Sequence, residues 1–337
     1  MKRTVLILAA LAALLVAASA KPVKIAVFVP GVTAGNAIYQ GLADGVKKAA
    51  SATKNAEVKV YEAGFNQSEW EDKLTSLVAS GSYDFVITSN PSMPDLCAKV
   101  GANFPGQKFI CLDGYLRGNP NIYTVLYNQT EQGYVTGYLA GLITTSTKSV
   151  LAGANSEKKV GFLIAQHYPV MDKIIGPGFA AGLRAVDAAI TVDQRVLGNF
   201  YDASKAADLA KSMYGAGADV ILPIAGGANE GVYKTAESLG RYVVVFDGND
   251  FARAPKNILG CTVLHQDRLA CEKTMAAIAG TLKFGTADIV GMKDGYIEFL
   301  ENDPAYLASV PRALRSRMQK VVADIKSGKL VLTVTTP

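Results

Sequence analysis

Polar side chains follow short apolar runs in this sequence at places where they could bind a small molecule. Asp247-Gly248-Asn249-Asp250 follows one such run, and Asn90-Pro91-Ser92-Met93-Pro94 follows another. A carboxylate can accept hydrogen bonds from two hydroxyl groups of a sugar, and amides and hydroxyls can pair with the edge of a heterocycle. These residue types predict non-covalent binding. The alternative role of Asp247 is to cap the following turn.

Other candidate ligand residues share this position after an apolar run. Tyr39 lies in a glycine-containing loop where its ring could contact a ligand, or it could simply pack beneath that loop. Trp70, the only tryptophan, stands where a helix is expected to begin and could be a core residue or a stacking platform. The candidates from these positions are Asn36, Tyr39, Trp70, Asn90, Asp113, Gln166, Tyr168, Asn229 and Asp247.

Signals for catalysis and for metal binding are weak. The chain has two histidines and contains no HExxH, GxSxG or GxxxxGK[ST] motif. Asp247-x-Asn249 begins like a calcium loop, but Phe251 stands where the third ligand is needed. We therefore predict that the protein is not an enzyme, with no catalytic residue, no metal site and no cofactor.

The elements that would position these residues alternate between strands and helices. Residues 24–29, 57–61, 84–88 and 108–112 are short apolar runs rich in valine and isoleucine. Between them, residues 41–50 and 69–79 space apolar side chains three and four apart, as in an amphipathic helix. This order predicts βαβ units and parallel sheets, in which ligands bind beyond the carboxyl ends of the strands.

The two halves of the chain repeat the same landmarks. Gly41-x-x-x-Gly45 matches Gly178-x-x-x-Gly182, and Asp113-Gly114 matches Asp247-Gly248, with separations of 134 to 137 residues. The sequence therefore predicts an α/β protein of two similar lobes, each an open doubly wound parallel sheet. No Pro-, Ser- or Gly-rich linker separates the halves, which favours a hinge. Two such sheets facing each other form a cleft that can close on a ligand.

The first twenty residues predict a cleavable export signal. Lys2 and Arg3 precede an apolar run that ends at Ala18-Ser19-Ala20, a small-x-small cleavage pattern. The alternative, a membrane anchor, is less suited to the run because a span needs about 20 apolar residues. We therefore expect a periplasmic or otherwise extracytoplasmic protein, and the remaining length favours two domains.

Charge and cysteine content narrow the partners. The formal net charge of +5 includes two residues of the predicted signal, and no basic cluster stands out, so nucleic acid is not an expected partner. Cys97, Cys111, Cys261 and Cys271 form no CxxC motif. They could be buried free thiols or could include a disulfide, because pairing cannot be deduced from spacing.

Several longer stretches resemble the basic membrane protein family. They are Gly133-Tyr134-Val135-Thr136-Gly137-Tyr138-Leu139-Ala140-Gly141, Gly178-Phe179-Ala180-Ala181-Gly182, Ala218-Asp219-Val220 with Ala225-Gly226-Gly227, and the stretch from Phe104 to Asp113-Gly114. This family comprises type I periplasmic binding proteins, including receptors for purine nucleosides. The resemblance implies three chain crossings near residues 128, 261 and 287. It divides the chain into lobe one, residues 22–127 plus 262–286, and lobe two, residues 128–260 plus 287–337.

The resemblance also implies a ligand and a partner. The family's acidic residue for sugar hydroxyls falls on Asp247, and its lysine near a crossing corresponds to His265. Gly35-Asn36-Ala37-Ile38-Tyr39 replaces the family's stretch with a stacking phenylalanine. With Trp70, this departure makes the chain look more like the riboflavin-receptor branch. We expect a monomeric receptor that delivers riboflavin, or alternatively a purine nucleoside, to an ABC permease in the inner membrane. A signalling receptor and a nucleoside-processing enzyme are the rival classes.

Overall fold

A computed structural model describes residues 21–53 and 55–336. The predicted export signal lies outside these residues. The chain forms two six-stranded sheets. The strands are β1 (Val23–Val29), β2 (Ala56–Glu62), β3 (Phe85–Ser89), β4 (Lys108–Leu112), β5 (Ile122–Tyr127), β6 (Lys159–Ile164), β7 (Thr191–Val196), β8 (Ala218–Ile224), β9 (Tyr242–Val245), β10 (Ile258–Leu264), β11 (Ala287–Val290) and β12 (Ile297–Phe299).

Helices follow most strands and cover both faces of each sheet. They are α1 (Ala37–Thr53), α2 (Trp70–Ala79), α3 (Met93–Gly101), α4 (Gln129–Thr144), α5 (Gly176–Val186), α6 (Ala203–Gly215), α7 (Asn229–Leu239), α8 (Gln266–Ile278), α9 (Pro304–Ser309) and α10 (Arg312–Lys326). A π-turn, Met171–Ile175, leads into α5. Among the described residues, no helix combines the length and the apolar character that a membrane crossing requires.

The two sheets have matching strand orders, β11-β5-β4-β3-β1-β2 and β12-β10-β9-β8-β6-β7. All pairs are parallel except β10 with β12, which is antiparallel. The central strands are apolar and buried on both faces, as in β8, because helices pack on both sides of a parallel sheet. The predicted α/β fold of two doubly wound lobes is therefore confirmed, including the equivalence of the two halves.

Close packing between helices explains why both halves of the chain carry a Gly-x-x-x-Gly motif. In lobe one, Gly45 of α1 lies against α8, where an added Cβ would stand 2.2 Å from the carbonyl oxygen of Asp267. In lobe two, Gly137 of α4 and Gly182 of α5 face each other, and an added Cβ would stand 2.1 Å from the backbone oxygens of Phe179 and Tyr134, respectively. The absence of side chains lets the helix backbones touch. In each lobe, the helix that follows a crossing (α8 or α4) is thereby packed against the helix that follows the first strand of that lobe's sheet (α1 after β1, α5 after β6).

Three chain segments join the lobes, at positions that differ in part from the prediction. The first follows β5 near residue 128. β10 stays in the sheet of lobe two through Leu264, so the second crossing comes at His265 and not near 261. β11 pairs with β5 in lobe one, so the third crossing follows Val290 and does not lie near residue 287. This four-residue strand is mostly half-buried, and its pattern alone therefore does not distinguish it from a loop.

Polar contacts anchor the crossings to one another. The Asn128 backbone N–H donates to the carbonyl of Val290 at 2.7 Å, and the Asn128 amide donates to the carbonyl of Leu332 at 2.8 Å. Glu131 accepts a hydrogen bond from the backbone N–H of Met292 at 2.7 Å. The hinge is therefore made of ordered segments tied side by side. All four cysteines are buried free thiols, one of the two states that the sequence left open.

Candidate binding site

Two aspartates occupy equivalent strand ends in the two lobes. Asp113 directly follows β4, and Asp247 follows β9 after one intervening residue. Both therefore stand at the carboxyl edge of their sheets. Both have a left-handed backbone, with φ of 58° and 29°. Aspartate tolerates this conformation better than most side chains do. The equivalence of the lobes thus brings one carboxylate from each sheet to the space between them.

Burial raises the pKa values of both carboxyls. Burial raises the pKa of Asp113 well above its ordinary value, and the nearby charge of Asp247 raises it further. Burial also raises the pKa of Asp247 to about 6, although a hydrogen bond from Gln132 opposes this shift. Oδ1 of Asp113 has no hydrogen-bond partner among the described protein atoms. The charge of Asp247 therefore acts on Asp113 across the cleft, and Asp113 retains capacity to accept a hydrogen bond.

Tyrosines from both lobes surround this pair. Tyr39 of α1 is 8% exposed, and its hydroxyl accepts a hydrogen bond from the Asn90 amide at 3.2 Å. Burial raises the pKa of Tyr39 to about 12, to which the charge of Asp113 adds. Tyr168 follows β6 in lobe two, and its pKa is raised by burial and then by the charges of Asp113 and Asp247. One continuous cluster therefore spans both lobes.

Residues at the hinge complete the cluster, and sequence reasoning missed them. The Gln132 amide of α4 donates to Oδ1 of Asp247 at 2.9 Å and to the Thr262 hydroxyl at 3.1 Å. The Tyr127 hydroxyl donates to Gln266 Oε1 at 2.5 Å. Oε1 of Gln132 and Nε2 of Gln266 have no partner among the described atoms. In the sequence, Gln132 ends the polar run of residues 129–132 that opens α4, which resembles an ordinary helix start and gave no distinct signal.

Several predicted site residues have local structural roles. Oδ1 of Asn36 accepts the backbone N–H of Tyr39 at 3.1 Å at the start of α1. Oδ1 of Asn229 accepts the N–H of Ala225 at 2.9 Å. Trp70 is 4% exposed in the core of lobe one, and its indole N–H donates to the carbonyl of Gly64 at 2.8 Å. These contacts favour roles in the fold, and their contact with a ligand remains a prediction.

The remaining two candidates, His265 and Gln166, lie outside this cluster of tyrosines and aspartates. His265 stands at the second crossing, where its Nε2 lies 2.8 Å from the Glu298 carboxylate. Gln166 follows β6 and is half-buried. Of the ten candidates, the structure groups Tyr39, Asn90, Asp113, Tyr168 and Asp247 in one cluster. Within the described residues, no group of three His, Cys, Asp or Glu side chains could hold a metal ion.

The raised carboxyl pKa values predict a pH-dependent stability. A carboxyl whose pKa is higher in the folded state than in the unfolded state loses stabilisation as pH rises between the two values. Asp247 should therefore reduce the free energy of unfolding between about pH 4 and 6, by up to roughly 3 kcal/mol for a shift of about two pKa units. Urea unfolding at pH 4.5 and 7.0 tests this, with Asp247→Asn as comparison. The expectation fails if wild type and variant show the same pH dependence.

A family model described as ABC transporter substrate-binding protein, PnrA-like, matches residues 22–330. The chain belongs to this PnrA-like family. Membership confirms the predicted basic membrane protein relationship and agrees with the prediction of a non-enzymatic protein, since the family is one of substrate-binding proteins. The match covers both lobes and all three crossings.

Two curated proteins are similar in sequence to parts of this chain. A CD4+ T-cell-stimulating antigen of Listeria monocytogenes is 27% identical over 57% of this chain and 50% of its own length. A protein of Lactococcus lactis named ABC transporter nucleoside-binding protein BmpA is 29% identical over 44% of this chain and 39% of its own length. The chain spans about half the length, or less, of these curated relatives.

Solved structures support the fold. A solute-binding protein of an ABC transporter system from Aeropyrum pernix K1 matches 94% of both chains, with a TM-score of 0.79 and 14% identity. GanP, a glucose-galactose binding protein from Geobacillus stearothermophilus, covers 85% of this chain and 100% of its own, with a TM-score of 0.63 and 13% identity. At these identities the similarity establishes the type I periplasmic binding protein fold alone.

Proposed function

We propose that this PnrA-like protein is the extracytoplasmic receptor of an ABC importer, and that it binds a purine nucleoside between its lobes. The observation that carries the proposal is the cluster of Asp113, Asp247, Tyr39 and Tyr168, which draws on both lobes. A ligand held by residues of both lobes stabilises the closed form relative to the open form. The closed form would then be recognised by the permease.

The chemistry of the cluster supports a ligand rich in hydroxyl groups. An ionised carboxylate can accept hydrogen bonds but cannot donate them, so Asp113 and Asp247 need donors when they are ionised. Among the described residues, no lysine or arginine forms an ion pair with either of them. A ribose can donate through two neighbouring hydroxyls. The buried Asp113 oxygen without a partner and the amide of Gln266 could pair with further polar groups of the ligand.

Two tyrosines and the name of one relative support a ligand that contains a flat ring. Tyr39 and Tyr168 come from opposite lobes, and aromatic contacts contribute about 0.5–1.5 kcal/mol beyond the burial of area. The Lactococcus relative is named as nucleoside-binding. These points together favour a nucleoside as the first ligand to test.

Riboflavin is the second candidate. Its isoalloxazine ring and ribityl hydroxyls match the same combination of aromatic rings and acceptors. The residue in place of the family's lysine, His265, is directed to Glu298 at 2.8 Å, which leaves a nucleoside without that contact. The stretch Gly35-Asn36-Ala37-Ile38-Tyr39 likewise replaces the family's stretch with a stacking phenylalanine. These departures are the observations that keep riboflavin under consideration.

Ligand extraction should distinguish the two candidates. We expect protein purified from its native host to release a purine nucleoside on denaturation, detected by mass spectrometry, and to bind inosine or guanosine in calorimetric titration. Yellow protein that quenches riboflavin fluorescence would favour the second candidate. Failure to bind either ligand class would contradict the proposed function, and hydrolysis of an added nucleoside would indicate the enzyme class. A neighbouring gene for a sensor kinase instead of a permease would indicate a signalling receptor.

A further inference from the structure

The two cleft aspartates belong to different lobes, which would move relative to each other if the cleft closed about the hinge. Asp113 is carried by the sheet of lobe one and Asp247 by the sheet of lobe two. Both lie at the carboxyl edge of their sheet, and both have a left-handed backbone conformation. Because the lobes join at the hinge segments, a closing rotation would bring the two carboxylates closer together and remove water from them.

No nearby basic group of the described chain offsets these charges. The basic side chains at the hinge already have acidic partners: His265 lies 2.8 Å from Glu298, Arg268 lies 2.8 Å from Glu272, and Lys273 lies 3.0 Å from Asp288. Within residues 21–53 and 55–336, the one neutral side-chain donor to the pair is Gln132, which donates to Asp247. Oδ1 of Asp113 is buried without a partner. Closing an empty cleft therefore brings two poorly compensated carboxylates together.

The groups around the pair add no compensation either. The titratable residues whose charges act on the cluster are Tyr39 from α1, Tyr127 from β5, Tyr168 after β6, Asp172 from the π-turn, Asp267 from α8, and Tyr296 near the third crossing. Each of these side chains is neutral when protonated and negative when ionised, so none carries a positive charge. Desolvation and repulsion between like charges both disfavour the ionised pair in the closed form.

We propose that Asp113 and Asp247 form a charge-selective closing element. The cleft closes on an uncharged or cationic ligand that donates hydrogen bonds to both carboxylates, and it resists closure when empty or when the ligand carries a phosphate. The inference rests on the proposed function in placing the ligand in this cleft. It adds the class of ligand that is accepted, and it identifies the two residues that connect recognition to closure.

Closure can be measured directly by spin labels on the two rims. Gln67 and Tyr201 are exposed in the loops after β2 and β7, at the carboxyl edges of opposite lobes. The substitutions Gln67→Cys and Tyr201→Cys provide label sites, and the native thiols are buried. Pulsed electron resonance then gives the distribution of distances between the lobes at pH 7.5, without ligand, with inosine, and with inosine 5′-monophosphate.

We expect the empty wild-type protein to be mainly open and the empty Asp113→Asn variant to show a closed population about tenfold larger. Asparagine keeps the shape and tolerates the left-handed backbone. Asp247→Asn should act in the same direction from the other lobe. The matched control, Asp95→Asn, changes an exposed aspartate of α3 and should leave the empty distribution unchanged. Equal closed populations in wild type and in both cleft variants would overturn the proposal.

The ligand arm tests the selectivity. Inosine should close the wild-type cleft, the monophosphate should bind about 100-fold more weakly, and the Asp113→Asn variant should narrow that gap by about tenfold, since the charge of the carboxylate is removed. Equal binding of both ligands by the wild type would refute charge selectivity. If no nucleoside binds, the proposed function fails, while the comparison of the empty proteins still decides whether the pair opposes closure.

Acidification gives an independent readout. Lowering the pH from 7.5 to 5 should increase the closed population of the empty wild type, because protonation neutralises the pair. The double variant Asp113→Asn with Asp247→Asn should not respond in this way. A similar response in the double variant would assign the effect to other groups, such as His265 with Glu298, and would contradict the proposal.

Discussion

Replacing Gly137 with alanine should lower the free energy of unfolding by about 3 kcal/mol, because the helix contact has no room for a methyl group. The added Cβ of residue 137 would stand 2.1 Å from the carbonyl oxygen of Phe179, which is backbone and cannot rotate away. Helices α4 and α5 would have to separate along their length. Urea unfolding monitored by circular dichroism gives the change.

A second glycine in a helix provides the control. Gly215 is the last residue of α6, and an added Cβ there would meet no atom within 4 Å. Gly215→Ala should therefore leave stability unchanged or raise it by up to about 1 kcal/mol, the helix preference of alanine over glycine. Equal stability of the Gly137→Ala and Gly215→Ala proteins would show that the close approach of α4 and α5 is not required.

Replacing Asp247 with alanine should weaken ligand binding by about 1–3 kcal/mol, since ligand hydroxyls would lose their acceptor. This corresponds to a rise in Kd of roughly 5- to 150-fold. Alanine is strained at a φ of 29°, so Asp247→Asn should be measured alongside it. Asparagine retains an oxygen acceptor and the backbone conformation, and the loss of affinity in that variant reports the carboxylate itself.

The control for this measurement is Asp208→Ala, which changes an exposed aspartate on α6 of the same lobe. Titration calorimetry with inosine, and separately with riboflavin, should give wild-type affinity for this control. Affinity that is unchanged in both Asp247 variants would remove this residue from the binding site, and the proposed orientation of the hydroxyl groups would then be wrong.

The central strands could be predicted from the sequence within about one residue. Residues 24–29 and 108–112 were expected, and the strands are Val23–Val29 and Lys108–Leu112. Their buried positions carry uninterrupted apolar side chains, which is a strong local signal in a parallel sheet. β11 was not foreseen because its four residues are mostly half-buried and its pairing with β5 depends on chain segments far apart in sequence.

The site was predictable where it follows from topology. Asp113 and Asp247 lie just beyond the ends of equivalent strands in the two lobes, so the sequence repeat predicted both positions. Trp70 and Asn36 share that location, but local contacts decide where their side chains point. The indole of Trp70 turns into the core, and Asn36 pairs with the backbone of Tyr39. Gln132 was missed because it lies one turn inside a helix that is buried on nearly all sides.

The close packing of α8 on α1 has a consequence for biosynthesis. Gly45 lies near the start of the chain, while the α8 residues that cover it, such as Ala270, come much later. As the polypeptide emerges from the ribosome, the first sheet can assemble, but one side of α1 stays uncovered until residue 278 has been made. The packing of lobe one is therefore completed only after most of the chain has been synthesised.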